Sequence, residues 1–334
     1  MIKPKNIHLK GQRRYLPLLL LSYLISFLLF EACEDEKKRS NSKKTASFIE
    51  VPSFNEDSAY VYVEKQLSFG PRVPNSAGHI NCGNWLGNFL EKQGAKVYRQ
   101  AAVLTAFNGD QLSSQNIIAA FNPEAQKRVM ISAHWDTRPF AEQDRDPARK
   151  NEPIMGANDG ASGVGVLLEI ARQMKAKAPK VGVDIFLWDS EDYGNPGTPD
   201  SYCLGTQYWA KNKHIPNYQA SFGINLDMVG AEDAQFYKEE NSVNYAAWVI
   251  EKVWLSASLQ GYGNYFSHVR SNPVTDDHLY VNKLGGIPCI DIIDQRNGGG
   301  FFEQWHTHGD DLSVISRNTL KAVGQTVLDV IYRE

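Results

Sequence analysis

Residues 129–136 read Val129-Met130-Ile131-Ser132-Ala133-His134-Trp135-Asp136, an apolar run that ends in polar, chemically capable side chains. The pattern recurs three times. Val183-Asp184-Ile185-Phe186-Leu187-Trp188 leads to Asp189-Ser190-Glu191-Asp192. Phe222-Gly223-Ile224-Asn225-Leu226 leads to Asp227. Ile287-Pro288-Cys289-Ile290 leads to Asp291, and the loop beyond it reaches Trp305-His306. Each run is short enough for a buried strand. Between them lie stretches with helical spacing: 161–177 has Val164, Leu167, Leu168 and Ala171, and 244–258 has Ala247, Val249, Ile250, Val253 and Trp254. Buried strands alternating with helices imply an α/β three-layer sandwich, with a mixed, largely parallel central sheet covered by helices on both faces. In such sheets ligands bind beyond the carboxyl ends of the strands. The four polar clusters fall there.

Upstream, 59–69 reads as a helix entering the turn Gly70-Pro71-Arg72-Val73-Pro74. Residues 80–93 read as a second helix, with Trp85, Leu86, Phe89 and Leu90 on one face and Gly94 as its stop. Strands are expected over 97–105 and 115–121, joined through Asn108-Gly109. A last helix is expected over 319–332.

The 334 residues are 42% hydrophobic and 22% charged, enough for a full core. A formal net charge of −3 gives a nucleic-acid partner no electrostatic support. The four cysteines, Cys33, Cys82, Cys203 and Cys289, show no CxxC spacing, so neither a zinc knuckle nor a redox site is indicated. If Cys33 is modified, three remain and at most one disulfide can form among them; they read as small buried residues rather than a staple. Lys3, Lys5, Lys10, Arg13 and Arg14 precede an apolar run over 15–30 that ends in Glu31-Ala32-Cys33. This is the layout of an export segment over 1–33. It resembles bacterial lipoprotein signals, although Glu31 and Phe30 depart from the usual pattern. The resemblance implies lipidation at Cys33 and an exported, membrane-attached protein of the cell envelope, with simple secretion or an uncleaved anchor as the alternatives. The charged, polar stretch 34–47 reads as a tether. The remainder, 48–334, reads as one domain, and a monomer is the expectation.

His134, Asp159, Glu191, Asp192, Asp227 and His306 come from five separate segments. A single Asp at a strand end serves as a cap or a turn residue. Several acids at one sheet edge repel and call for a cation, and imidazoles among them favour zinc. Asp159 sits in Gly156-Ala157-Asn158-Asp159-Gly160-Ala161-Ser162-Gly163, a small-residue loop that opens a helix. The phosphate-loop pattern is absent there.

Phe69-Gly70-Pro71-Arg72, His134-Trp135-Asp136, the Gly156 to Gly163 loop, Glu191-Asp192, Asp227-Met228-Val229-Gly230, Asp276-Asp277-His278 and Trp305-His306-Thr307 occur in an order that resembles the zinc aminopeptidase-like family. That family includes the glutaminyl-peptide cyclotransferases. Trp305 before His306, the doubled Asp276-Asp277 and the His-Trp-Asp-Thr-Arg-Pro start of the 137–155 loop resemble the cyclase branch. Asp192 stands where animal cyclases have Glu, Asp291 where they have a pocket His, and Gly197 about where they have a Trp.

The resemblance implies one zinc ion on Asp159, Asp192 and His306, with Glu191 moving protons and Asp276 and Asp227 forming an acidic network. Trp305 and Asp291 are expected to line the substrate pocket. His134 and Asp136 are expected to steady each other beside the metal. The substrate implied is a peptide or protein with a free N-terminal glutamine, converted to pyroglutamate with release of ammonia. In the aminopeptidase branch two zinc ions would bind, with His134 and Asp227 holding the second. A non-catalytic binding domain on the same fold would have lost ligands, and none is missing. His79, His214 and His308 are expected to be surface or structural residues and are assigned no role.

Overall fold

The computed structural model describes residues 49–296 and 299–334. The expected export segment, the tether, Cys33 and Phe48 lie outside these residues. Among the described residues no helix is long and apolar enough to cross a membrane.

The unit from Glu50 to Glu334 is built on a six-stranded sheet. Its strands are β1 (Lys96–Thr105), β2 (Gln111–Phe121), β3 (Arg128–His134), β4 (Gly182–Trp188), β5 (Gly223–Asp227) and β8 (Cys289–Ile293). Their spatial order is β1-β2-β4-β3-β5-β8. The β1–β2 and β2–β4 pairs are antiparallel; β4–β3, β3–β5 and β5–β8 are parallel. A separate parallel pair joins β6 (Phe236–Glu239) to β7 (Phe266–Ser271).

Seven α-helices complete the described fold: α1 (Glu56–Leu67), α2 (Ala77–Lys92), α3 (Ala161–Ala176), α4 (Leu204–Lys211), α5 (Glu240–Leu259), α6 (Asp277–Lys283) and α7 (Arg317–Tyr332). Side chains alternate across a strand, so each strand feeds both faces. Met130 and Phe186 pack with Trp209 of α4 and Val281 of α6. Ala133 faces α3 instead. Rings tie α1 to α2, with Tyr62 against Phe89 at 4.9 Å. Central strands β3, β4, β5 and β8 are almost wholly buried, as covering on both faces requires.

The expected fold class stands, and so do the expected helices and strands, with ends moved by a few residues. Helices α4 and α6 and the small β6–β7 pair are additions. One correction bears on the site. β8 continues through Ile293, so Asp291 lies inside the strand rather than beyond it. It is fully buried and does not line the cleft described below.

Candidate metal and catalytic site

Every parallel strand delivers a polar residue at or just past its carboxyl end. His134 ends β3, Asp227 ends β5, and Asp189 to Asp192 follow β4. The loop before α3 brings Asp159 beneath His134. A Cβ on Gly160 would lie 2.6 Å from the His134 ring, so only glycine lets the two segments approach this closely. The Asp159–Gly160 peptide bond is cis.

Among the described residues four sets of possible ligand atoms converge, each with its atoms within 4.8 Å of one another, and two of them share Asp159: Asp159, Asp192 and His306, and His134, Asp159 and Asp227. The other two, Glu191 with Cys203 and Asp276, and Asp276 with His278 and Asp291, do not include Asp159. His306 Nε2 lies 3.3 Å from Asp192 Oδ1 and 3.6 Å from Asp159 Oδ2. Tetrahedral zinc with ligands at about 2.0 Å places them about 3.3 Å apart. His134 Nε2 lies 3.0 Å from Asp159 and 3.3 Å from Asp227. Neither His134 contact is an aligned hydrogen bond. Both His134 ring nitrogens, Asp192 Oδ2 and Asp227 Oδ1 are buried without a hydrogen-bond partner. Buried polar atoms of this kind are rare unless an ion or water meets them. The donor chemistry and the orphaned atoms therefore fit a divalent cation.

Partners behind the site orient the ligands. Glu142 accepts from His306 Nδ1 at 2.8 Å and receives the Arg138 guanidinium. Arg138 also donates to the Asp192 and Gly194 carbonyls. Asp310 accepts the backbone N–H groups of Asn158 and Asp159 at 2.8 and 3.1 Å. Arg72 binds the carbonyls of Trp135, Met155 and Gly156, lacing together the loops that carry the site. Asp136 lies 3.6 Å from His134 Nδ1, and its aligned bonds go to the N–H groups of Glu191 and Asp192. It thus fixes the acidic pair more firmly than it fixes the imidazole.

Glu191 is 8% exposed at the cleft. The Cys203 thiol donates to its Oε1 at 3.2 Å, and the Cys203 N–H donates to its carbonyl. Burial pushes the Glu191 carboxyl well above its ordinary range, against the pull of His134 and with the help of Asp192 and Asp276. Burial also raises Asp227 to about 7, with repulsion from Asp276 and Asp159 adding to it. For Asp159 burial acts the same way, but His134 and His306 outweigh it and the carboxyl falls. Burial lowers the His306 imidazole, yet Asp192 and Glu142 carry it up to about 9.

A cleft of about 450 Å³ opens over these groups. Asp159, Glu191, Asp192, Asp227, Asp276 and His306 meet in it, with Trp305 on its wall. Trp305 stacks on the His306 ring at 3.7 Å. A wider groove of about 570 Å³ between α2 and β1 has no carboxylate in its lining.

Asp276 caps α6 by accepting the Asp277 N–H and also accepts from Asn225 Nδ2 at 2.9 Å, and Asn225 also reaches Asp291. Asp291 therefore supports Asp276 from below instead of touching a ligand. His79 pairs with Asp189 and His308 with Asp144, both structural contacts. Cys82, Cys203 and Cys289 are free and buried. Sequence reasoning had missed Glu142, Arg138, Asp310 and the role of Cys203. The first three lie in polar loops whose partners are set only by the fold.

Known proteins place this geometry in a family. The glutaminyl cyclase of Bacteroides thetaiotaomicron, solved with N-acetylhistamine, is 50% identical with a TM-score of 0.84, over 85% of this chain and 100% of that one. A Zn-dependent exopeptidase from Parabacteroides distasonis is 53% identical with a TM-score of 0.84, over the same shares. The glutaminyl-peptide cyclotransferase of Gloydius blomhoffii is 25% identical over 237 residues, and the match spans 61% of each chain. The model described as peptidase family M28 matches residues 116–331, well over half of the sequence. The chain belongs to peptidase family M28.

Proposed function

We propose that this protein is a zinc-dependent glutaminyl-peptide cyclotransferase that converts an N-terminal glutamine to pyroglutamate. The observation that carries the reading is the meeting of Asp159, Asp192 and His306 with Glu191 and Trp305 in one cleft. The likeness to solved glutaminyl cyclases over their whole length supports it.

Asp159, Asp192 and His306 would hold one zinc ion, which supplies Lewis acidity to the side-chain amide oxygen of the substrate. The substrate's own α-nitrogen attacks its side-chain amide carbon and closes a five-membered ring. Because the attack is intramolecular, the entropic cost of bringing the two groups together is small. Glu191 accepts a proton from the α-amine and delivers it to the nitrogen that departs as ammonia. Asp276 and Asp227 hydrogen-bond the α-nitrogen side of the reacting group. Trp305 covers the glutamine side chain and keeps water from the amide carbon. Asp136 and Cys203 hold Glu191 by its backbone and its carboxylate.

A second reading has its own observation. His134, Asp159 and Asp227 also converge, as a second zinc site of an aminopeptidase would require. The test is incubation of the purified protein with a glutamine-initiated and an alanine-initiated peptide. The cyclase reading expects ammonia and a mass loss of one ammonia from the first alone. Release of the first residue from either peptide would replace it with the aminopeptidase reading.

We also propose that the protein is exported and anchored through a lipidated Cys33. The mass of the mature N-terminal peptide tests this: an unmodified Met1 or Cys33 would overturn it.

A further inference from the structure

The catalytic cleft does not end at Trp305. Its wall residues Asn272 and Gly299 are also wall residues of a second groove, of about 380 Å³. The saddle between the two is tight. A Cβ on Gly299 would lie 2.4 Å from Asn272 Nδ2, so the two residues pack directly. Next to them the Ser271 hydroxyl donates to Gln295, with Ser271 in the groove and Gln295 in the cleft.

The electrostatic sign reverses across this saddle. The cleft is lined by five acids, Asp159, Glu191, Asp192, Asp227 and Asp276. Among the described residues the groove is lined by no acid and by two arginines, Arg270 and Arg296. Arg296 is already committed: Asp294 takes its guanidinium at 2.8 and 3.1 Å, and the Glu232 and Asp233 carbonyls take the rest. Lys238, opposite Arg270 in the β6–β7 register, is tied to Glu251 at 2.6 Å. Arg270 is exposed, and its side chain has no ion pair or hydrogen bond among the described residues.

We propose that this groove receives the residues that follow the N-terminal residue of a peptide substrate, and that Arg270 selects an acidic side chain there. The proposal rests on the peptide reading above and adds a substrate class to it. A peptide that places its N-terminal nitrogen among the acids of the cleft can run on across the saddle, whose residues line both cavities. The saddle offers side-chain amides to its backbone, and the groove beyond offers one uncommitted cation. A peptide with a free amine on its first residue and a carboxylate a few residues along complements both ends of the path. An exposed pair of this kind is weak and screened by salt.

The experiment uses the purified full chain and amidated peptides that begin with glutamine and otherwise carry alanine. Glutamate or lysine is placed in turn at the second to fifth residue. The readout is the ratio of kcat/KM for the glutamate peptide over its lysine counterpart, so any general loss of activity in a variant cancels. At about 50 mM salt the expected ratio at one of these places is about threefold to tenfold, and about 500 mM salt collapses it. Arg270→Ala brings the ratio to about one, Arg270→Lys retains most of it, and Arg270→Glu inverts it. A ratio near one at every place, or a ratio that survives Arg270→Glu, overturns the proposal while leaving the cyclase reading intact. Absence of pyroglutamate from every peptide overturns both.

Discussion

At the scale of single residues, the site separates groups that hold a metal from groups that move protons. Glu191 lines the cleft but belongs to neither set of converging metal ligands that includes Asp159. Glu191→Gln is therefore expected to cut kcat by about a hundredfold to ten-thousandfold with zinc content unchanged by elemental analysis. A fully active variant would end the proton-transfer role. Glu142 makes the opposite case. It is not itself part of the cleft lining but holds His306 Nδ1 from behind. Glu142→Ala is expected to weaken zinc affinity about tenfold to a hundredfold, by competition with a coloured chelator. The ligands were legible in the sequence because each ends an apolar run or opens a helix. Glu142 was not, since the 137–155 loop has several acids and arginines of equal standing. Asp291 was misplaced for a related reason. The strand was expected to stop at Ile290, and three more buried positions carry it through Ile293.

At the scale of elements, the decisive contacts are between α3 and the sheet, because α3 starts where the Asp159 loop ends. A Cβ on Gly163 would lie 2.4 Å from the Leu226 carbonyl oxygen and 2.9 Å from the Ala133 Cβ. Both neighbours belong to strands that end in proposed site residues, His134 and Asp227. Gly163→Ala is expected to destabilise the fold by about 1–3 kcal/mol, read from the urea midpoint, and to lower zinc affinity with it. An unshifted midpoint would mean that α3 can lift off the sheet without cost. Long elements with a clear period were legible: the expected helix over 161–177 differs from α3 by one residue at its end. The short ones were not. α4 and α6 have eight and seven residues, too few for a period to stand out. In α6 the stretch Asp277-His278 drew attention as chemistry, when it is also the buried first turn of a helix.

At the scale of the whole molecule, the fold class followed from counting buried strands between helices, while the strand order did not. The antiparallel β1–β2 hairpin enters the sheet beside β4, not beside the next strand in the chain. Local patterns carry no term for that choice. The core on the α4–α6 face also shapes acid stability. His214 sits among Tyr98, Phe186, Trp209 and Tyr218 and accepts the Trp209 indole N–H at 3.1 Å. Burial, with Lys213 and Arg128 adding repulsion, pushes its imidazole down to about 4. The unfolded chain then binds a proton that the folded chain refuses. Stability from this group is complete above about pH 6.5 and is lost as the pH falls toward 4. His214→Gln keeps an acceptor for the indole and is expected to show a smaller drop in urea midpoint between pH 7 and pH 5 (about two units apart). An equal drop in both proteins would assign the acid sensitivity elsewhere.

Everything proposed for this chain depends on acids and an imidazole from distant segments sharing one ion at the carboxyl edge of the sheet. Anomalous diffraction at the zinc edge, from crystals of the zinc-loaded protein, addresses this directly. The account expects one zinc peak bounded by Asp159, Asp192 and His306. No peak there, or a second of equal height between His134 and Asp227, would contradict it.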